Sequence, residues 1–371
     1  MASLNFLSLN VPTTNGMLST TLFYLVLVIC PLFLYRYLSP RTLLASHPSP
    51  SSLTDMAGVR VSKILVHPIK SCRGISVQHS RYTPEGLDHD RKWCIIEAYD
   101  NVVITAREFP KMVLITPEIV LDPTSPHSGV LSVSFPKESG CEPFSLPLAP
   151  TQAILDGWKR IEKIMMFDVA MDAYISEALP SPPSRSPSVI LSSYFGRQVY
   201  LVYKGPQPRT CDPTPTHPNL EAKAVFQDCF PLMVLSAEST TRVEEELRGH
   251  VGSQGIDERW SSESLGIERF RPNIVFQGAG PFAEDSWQEI RIGSMPDAPV
   301  ISMVSKCTRC LLPNVSPDTG EKDPAVPFKT LMKFRRVDPH NKMKACLGCN
   351  GVPSSAGEVR VGDCVAARAF M

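Results

Sequence analysis

Four cysteines near the C-terminus stand in two Cys-x-x-Cys pairs, Cys307/Cys310 and Cys346/Cys349, with about 35 residues between them. Four thiolates can close a tetrahedral zinc site, so a zinc-organised module is one reading. Against it, the intervening stretch is longer than a zinc ribbon uses, and Leu311, Leu312 and Pro313 follow Cys310 where a knuckle wants glycine. A thioredoxin-like redox pair is a second reading, but neither pair opens a helix after a strand in a βαβ unit. Small buried hydrophobes that happen to be cysteine are the third, and this suits most of the eleven. Other polar groups sit where ligands could be bound. Arg271-Pro272-Asn273 leads into the β-branched run Ile274, Val275, Phe276, where Arg and Asn are poorly placed without a polar partner. Lys70-Ser71 precedes Gly74 and reads equally as an ordinary turn, Arg91 beside Asp90 reads equally as a surface ion pair, and the lone His67 ahead of Pro68 reads as structural.

These residues must be positioned by a mostly β scaffold. Short β-branched runs separated by turn residues predict strands at 59–66, 93–97, 102–105, 112–121, 130–135, 199–203, 273–277, 289–292, 300–306 and 359–365. Helix is expected at Ser176–Leu179 and at Ser236–Arg248, where Ser236 and Ser239 can cap. Proline accounts for 35 of 371 residues, which excludes one long helical rod, and Pro-rich breaks at 180–187 and 206–218 interrupt the middle of the chain. Lys+Arg and Asp+Glu both number 37, so no global basic field exists to hold a nucleic-acid backbone. No Asp, Glu, Lys or Arg occurs before Arg36, and Leu22–Leu38 is almost wholly apolar with a possible kink at Pro31. This predicts a transmembrane helix; Arg36 and Arg41 on its C-terminal flank keep the downstream domains in a reducing cytosol. The expected organisation is an anchor and Pro/Ser linker over 1–56, a first β-rich domain over 57–200 and a second over 201–371.

The run Cys310-Leu-Leu-Pro-Asn-Val-Ser-Pro-Asp-Thr-Gly320 resembles the active-site signature of the MOSC family, whose members share a C-terminal domain with molybdenum cofactor sulfurases. Further segments resemble its amidoxime reducing component branch: His67-Pro-Ile-Lys-Ser-Cys-Arg-Gly-Ile, Asp90-Arg-Lys-Trp, Ile104-Thr-Ala-Arg, Arg269-Phe-Arg-Pro-Asn-Ile-Val, Ala283-Glu-Asp-Ser-Trp and Val361-Gly-Asp. In the family's order, they cover about residues 58 to 368. The resemblance implies an α+β fold, mostly β, with an N-terminal MOSC-type β-barrel domain followed by a MOSC β-barrel.

It also implies a molybdenum–molybdopterin cofactor, with Cys310 as the catalytic cysteine and molybdenum ligand, since a soft thiolate suits a metal already bound by dithiolene sulfur. Lys70, Ser71, Arg91, Arg271, Asn273, Thr308, Arg309 and Asn350 fall where the family contacts the cofactor's phosphate and pterin. The chain departs from the animal pattern at Pro313 and Asn314, at Cys229 and Phe230, and at Asn350, where a tyrosine is usual. The implied activity is two-electron reduction of N-hydroxylated compounds such as amidoximes and hydroxylamines. The resemblance further implies that electrons come from NADH through cytochrome b5 reductase and cytochrome b5, and no G-x-G-x-x-G opens a helix after a strand here for the chain to bind a nicotinamide itself. The implied location is the mitochondrial outer membrane, with the endoplasmic reticulum as the other surface an anchor would allow. A persulfide carrier using Cys310 is the alternative chemistry.

Overall fold

The computed structural model describes residues 53–177, 185–295 and 297–369. The apolar segment Leu22–Leu38 lies outside them, and among the described residues no helix is long and apolar enough to cross a membrane. The described residues form one compact unit.

Its centre is a sheet that closes on itself. The first strand, Thr54–Val66, pairs with Ile274–Gln277 along one edge and with Cys364–Ala369 along the other. Between those edges run Leu232–Ser236, Cys346–Pro353, Val300–Thr308 and Trp287–Ile292, which completes a seven-stranded barrel. Closure removes the exposed edges that an open sheet would leave. Ile64, Val66, Leu232, Val234, Ile274, Phe276, Ile290 and Ile301 are buried together in one core. One pairing is parallel, Leu232–Ser236 with Ile274–Gln277, and a parallel pair requires a crossover; the helix Ala237–Arg248 supplies it. Val243 and Leu247 on one face of this helix are buried, while Arg242 pairs with Glu246 and Arg248 with Glu244 one turn apart.

A second sheet orders Trp93–Glu97, Val199–Lys204, Val169–Ile175 and Arg160–Met166, all antiparallel. A three-stranded meander, Thr116–Leu121, Gly129–Ser134 and Phe144–Pro147, packs over a separate core containing Trp93, Ile95, Leu131 and Leu146.

Several expected elements change. Val102–Thr105 makes only isolated bridges, Val102 with Met165 and Val103 with Ile96, because the adjoining turn leaves no room for a ladder. The run 112–121 divides into a 3-10 turn, Pro110–Leu114, and the strand Thr116–Leu121. The run 359–365 divides at Gly362, whose φ of 95° bends the chain between Gly357–Arg360 and Cys364–Ala369. Ser176 and Glu177 are not helical; the rest of that segment lies outside the described residues. A helix at Pro187–Phe195 follows the Pro-rich break instead. Pro187 there occupies the first turn, where its missing N–H costs nothing, and the Ser186 hydroxyl accepts from Val189 N. The hairpin Arg160–Met166/Val169–Ile175 and the strand Cys346–Pro353 have too many polar, small or glycine residues for their pattern to announce them.

Within Cys346–Pro353, Gly348 has φ 75°, and a Cβ there would stand 2.3 Å from the Met233 side chain and 2.6 Å from Val234 O. Gly348→Ala is therefore expected to destabilise the protein by about 1–3 kcal/mol, read as a lower urea midpoint at unchanged m-value.

Candidate functional site

Asp90 is completely buried between the first barrel strand and the second sheet. One carboxylate oxygen accepts from His67 N at 2.8 Å and the other from Arg91 Nη1 at 2.7 Å. Burial pushes this carboxyl's pKa up, but the Arg91 charge and the hydrogen bond from His67 outweigh it and hold the group well below the usual carboxylate range. The Asp90–Arg91 pair is thus internal, not a surface ion pair. His67 is driven the other way, down to about 3, by burial and by the charges of Arg271 and Arg91, so it is neutral and structural. Lys70 N donates to Trp93 O at 2.8 Å and Arg91 N to His67 O at 2.8 Å, so the turn carrying Lys70 and Ser71 is laced to the strand that follows Arg91.

Lys70, Ser71, Arg91, Arg271, Asn273, Thr308, Arg309, Cys310 and Asn350 all line one cavity of about 280 Å³. They reach it from the turn after the first strand, from the turn ahead of Trp93–Glu97, from the loop before Ile274, from the end of Val300–Thr308 and the residues that follow it, and from Cys346–Pro353. Arg107, Phe167, Gln227, Asp228, Met233 and Arg269 also line it, and the sequence alone assigns them no role. Arg107 and Arg269 stand inside family motifs, whereas nothing in the sequence signals Phe167 or Asp228.

Most of the charged and amide groups are already satisfied, and one has a buried atom that is not. Arg309 spends its guanidinium on carbonyls, Nε on Leu347 O at 2.9 Å and Nη1 on Phe270 O at 2.9 Å. The Asn273 amide is likewise committed: its Oδ1 accepts from Met233 N at 3.1 Å and its Nδ2 donates to Leu65 O at 3.3 Å. Two neighbouring strands thus meet part of its hydrogen-bonding capacity, one N–H and one acceptor lone pair being left over. Asn350 Nδ2 donates to Ser305 Oγ at 2.9 Å. Lys70 is buried, donates to Phe226 O at 2.8 Å and pairs with Asp228. Burial lowers the Lys70 pKa, and Asp228 opposes the shift. Arg271 differs. Its Nη1 donates to Cys72 O at 2.7 Å, but its Nη2 is buried with no partner among the described residues. An unpaired buried guanidinium N–H costs on the order of 1–3 kcal/mol or more, so this geometry fits an anionic group delivered from outside. The cavity contains six cationic side chains, Lys70, Arg91, Arg107, Arg269, Arg271 and Arg309, against the single carboxylate of Asp228.

Cys310 is half-buried and its Sγ accepts from Leu312 N at 3.4 Å. Cys307 and Cys229 share the cavity, the first half-buried with its thiol pushed up by burial and the second exposed. Cys349 points elsewhere and donates from Sγ to Glu284 O at 3.1 Å. The four Cys-x-x-Cys sulfurs do not converge: among the described residues no cluster of three or more His, Cys, Asp or Glu could hold a metal. The departures at Pro313 and Asn314 serve the loop after Cys310. Pro313 lines the cavity, and Asn314 is buried with Nδ2 on Asp323 O at 2.8 Å and Oδ1 accepting from Phe328 N at 3.1 Å.

Comparison with known families matches the MOSC N-terminal beta barrel domain over residues 58–178 and the MOSC domain over residues 221–366. The chain belongs to the MOSC family. This MOSC protein is 31% identical over 319 residues to the mouse mitochondrial amidoxime-reducing component 1, covering 82% of this chain and 80% of that one. To the rat mitochondrial amidoxime reducing component 2 it is 29% identical, with 82% and 81% covered. It is also 26% identical to a rice molybdenum cofactor sulfurase, over 77% of this chain but only 32% of that protein.

The carboxyl of Glu284, whose backbone carbonyl meets Cys349 Sγ, is buried, takes a hydrogen bond from Ser239 Oγ at 3.1 Å and is raised by burial to about 7. The folded state therefore holds this proton more tightly than the unfolded one, and stability falls as pH rises from about 4.5 to about 7. Glu284→Gln is expected to flatten that slope and to gain on the order of 3 kcal/mol over wild type at pH 8 relative to pH 4, measured by urea denaturation at both values.

Proposed function

We propose that this MOSC protein is a molybdenum-cofactor-dependent reductase that converts N-hydroxylated compounds to the amine-type product and water, taking up two electrons and two protons. The observation that carries the reading is the unpaired, buried Arg271 Nη2 in the same cavity as the amide-supported Cys310 sulfur. The names of the mouse and rat relatives, amidoxime reducing components, point the same way.

Cys310 Sγ would be the protein's ligand to molybdenum. Arg271 would take the cofactor's phosphate through Nη2. Lys70, Ser71, Arg91, Thr308 and Asn350 would line the pterin and phosphate edges. Asn273 and Arg309 act at one remove: by tying Met233, Leu65, Leu347 and Phe270 together they fix the walls against which the cofactor lies. When bound, the molybdenum centre supplies the two-electron redox change that breaks the N–O bond. The chain's own contribution is a cationic cavity that stabilises the anionic cofactor and orients it relative to the mouth.

Electrons are proposed to arrive singly from cytochrome b5, itself reduced by NADH through cytochrome b5 reductase. The proposed location is a mitochondrial membrane surface, in keeping with the relatives' names, with Leu22–Leu38 as the anchor that tethers the enzyme near its membrane-bound donors.

Elemental analysis of freshly purified protein is expected to give molybdenum and no zinc. Cys310→Ala should abolish reduction of benzamidoxime while keeping a wild-type melting temperature. Arg271→Met should lower cofactor occupancy on the order of ten- to a hundredfold at limiting cofactor. Retention of molybdenum-dependent turnover by Cys310→Ala would overturn the reading; cyanide-labile sulfur on Cys310 in molybdenum-free protein would favour the sulfur carrier.

A further inference from the structure

Phe167 occupies a position that a phenylalanine should avoid. It is the first of two residues, Phe167-Asp168, that turn the hairpin between Met166 and Val169, which face one another across the ladder. Its φ is 55°, in the left-handed region where glycine and asparagine are comfortable and a bulky side chain is strained. Burial does not repay the strain, because 47% of the residue remains exposed. The hairpin itself is firmly placed, with Val103 N donating to Met165 O at 2.8 Å and Met165 N to Asn101 O at 2.9 Å. The tip therefore does not hang where it does by default.

The ring lies on the wall of the cavity that contains Cys310. Two cations hold it there: the Arg107 guanidinium carbon is 5.1 Å and the Lys70 Nζ 5.6 Å from its centroid. Lys70 is itself fixed by Asp228 and Phe226 O, so the ring is set against a rigid part of the site. A strained backbone, a half-open aromatic surface and two positioning cations at the mouth of one cavity form a combination that stability alone does not require.

We propose that Phe167 is a specificity-determining residue that offers its ring to the planar, conjugated body of an N-hydroxylated substrate entering the cavity that Cys310 lines. Aromatic surfaces stack in offset or edge-on geometry, and a ring already oriented by cations loses little freedom when a flat ligand settles against it. Small aliphatic hydroxylamines have no such surface and gain nothing from the contact. The proposal rests on the reductase reading for its substrate class, and binding measurements separate the two.

The test compares wild type with Phe167→Ala and Phe167→Asn on benzamidoxime and N-methylhydroxylamine, in protein loaded with cofactor, by steady-state kinetics and by calorimetric titration. For benzamidoxime both variants should raise KM and the calorimetric Kd about fivefold, with kcat within about twofold. For N-methylhydroxylamine neither constant should move. Asparagine tolerates the left-handed backbone, so Phe167→Asn should keep or raise the melting temperature while discrimination is lost, a split that a packing role would not give. Equal shifts for both substrates, or none for benzamidoxime, would overturn the proposal. Phe167-dependent binding of benzamidoxime without turnover by any form would retain it and overturn the reductase reading instead.

Discussion

A buried carboxylate holds the site together. Asp90 joins His67 N to the Arg91 guanidinium, and Arg91 Nη2 in turn donates to Arg271 O at 3.3 Å. Three segments far apart in sequence, at 67–71, at 90–93 and at 269–273, are thereby locked to one another beside the cavity. Removing one partner of a buried charge pair typically costs about 3–5 kcal/mol because the other is left uncompensated. In this protein the positions of Lys70, Ser71 and Arg271 depend on the same knot. The closed barrel makes the knot possible, since the first strand is seated between Ile274–Gln277 and Cys364–Ala369 and delivers His67 and Lys70 to the far end of the later barrel strands.

That rigidity supports an unusual concentration of backbone strain. Ser71, Arg91, Phe167 and Arg271 all have positive φ, between 50° and 67°, and all four line the same cavity. Non-glycine residues held this way cost on the order of 1–3 kcal/mol each and persist only where surrounding contacts over-determine them. The contacts are visible: Cys72 N to Ile69 O at 3.1 Å after the Lys70 turn, Arg91 N to His67 O, and Arg271 N to Glu268 O at 3.1 Å. Strain and unpaired charge coincide at Arg271, where the left-handed backbone turns the side chain to Cys72 O and leaves Nη2 for an anion.

Much of the barrel was legible because its strands are apolar on nearly every residue, as in Ile274–Gln277, or carry β-branched runs, as in Val300–Thr308; the equally apolar Leu232–Ser236 was not singled out, being five residues directly joined to a helix. The hairpin that carries Phe167 was not legible, since the adjacent Glu162 and Lys163 interrupt the alternation of Arg160–Met166, and its partners, Val169–Ile175 across the ladder and Asn101 to Val103 beside Met165, are supplied by the fold. The Cys346–Pro353 strand was illegible for a related reason: its two glycines and an asparagine read as loop, and only its neighbours on both sides make it a fully buried strand. The roles of individual side chains were legible in type but not in state. Asn273 and Arg309 carry the right chemistry for a ligand, yet their hydrogen bonds close on backbone groups contributed by other strands.

By itself the sequence determined the family and the β-rich class and singled out residues that line one cavity, because Cys310 with its adjoining loop and the Arg271-Pro272-Asn273 turn are local motifs whose chemistry is carried by residue type and spacing. Tertiary structure alone decided which of those groups are spent and which remain available. Burial and hydrogen-bond geometry depend on segments brought together across some two hundred residues, as when Cys72 O meets Arg271 at a separation of 199. The same distance dependence separates the four thiols that spacing had grouped as a possible zinc site, turning Cys349 toward Glu284 O while Cys310 faces the cavity. It also sets Phe167 at the mouth, a placement created by a turn, a strained φ and two distant cations.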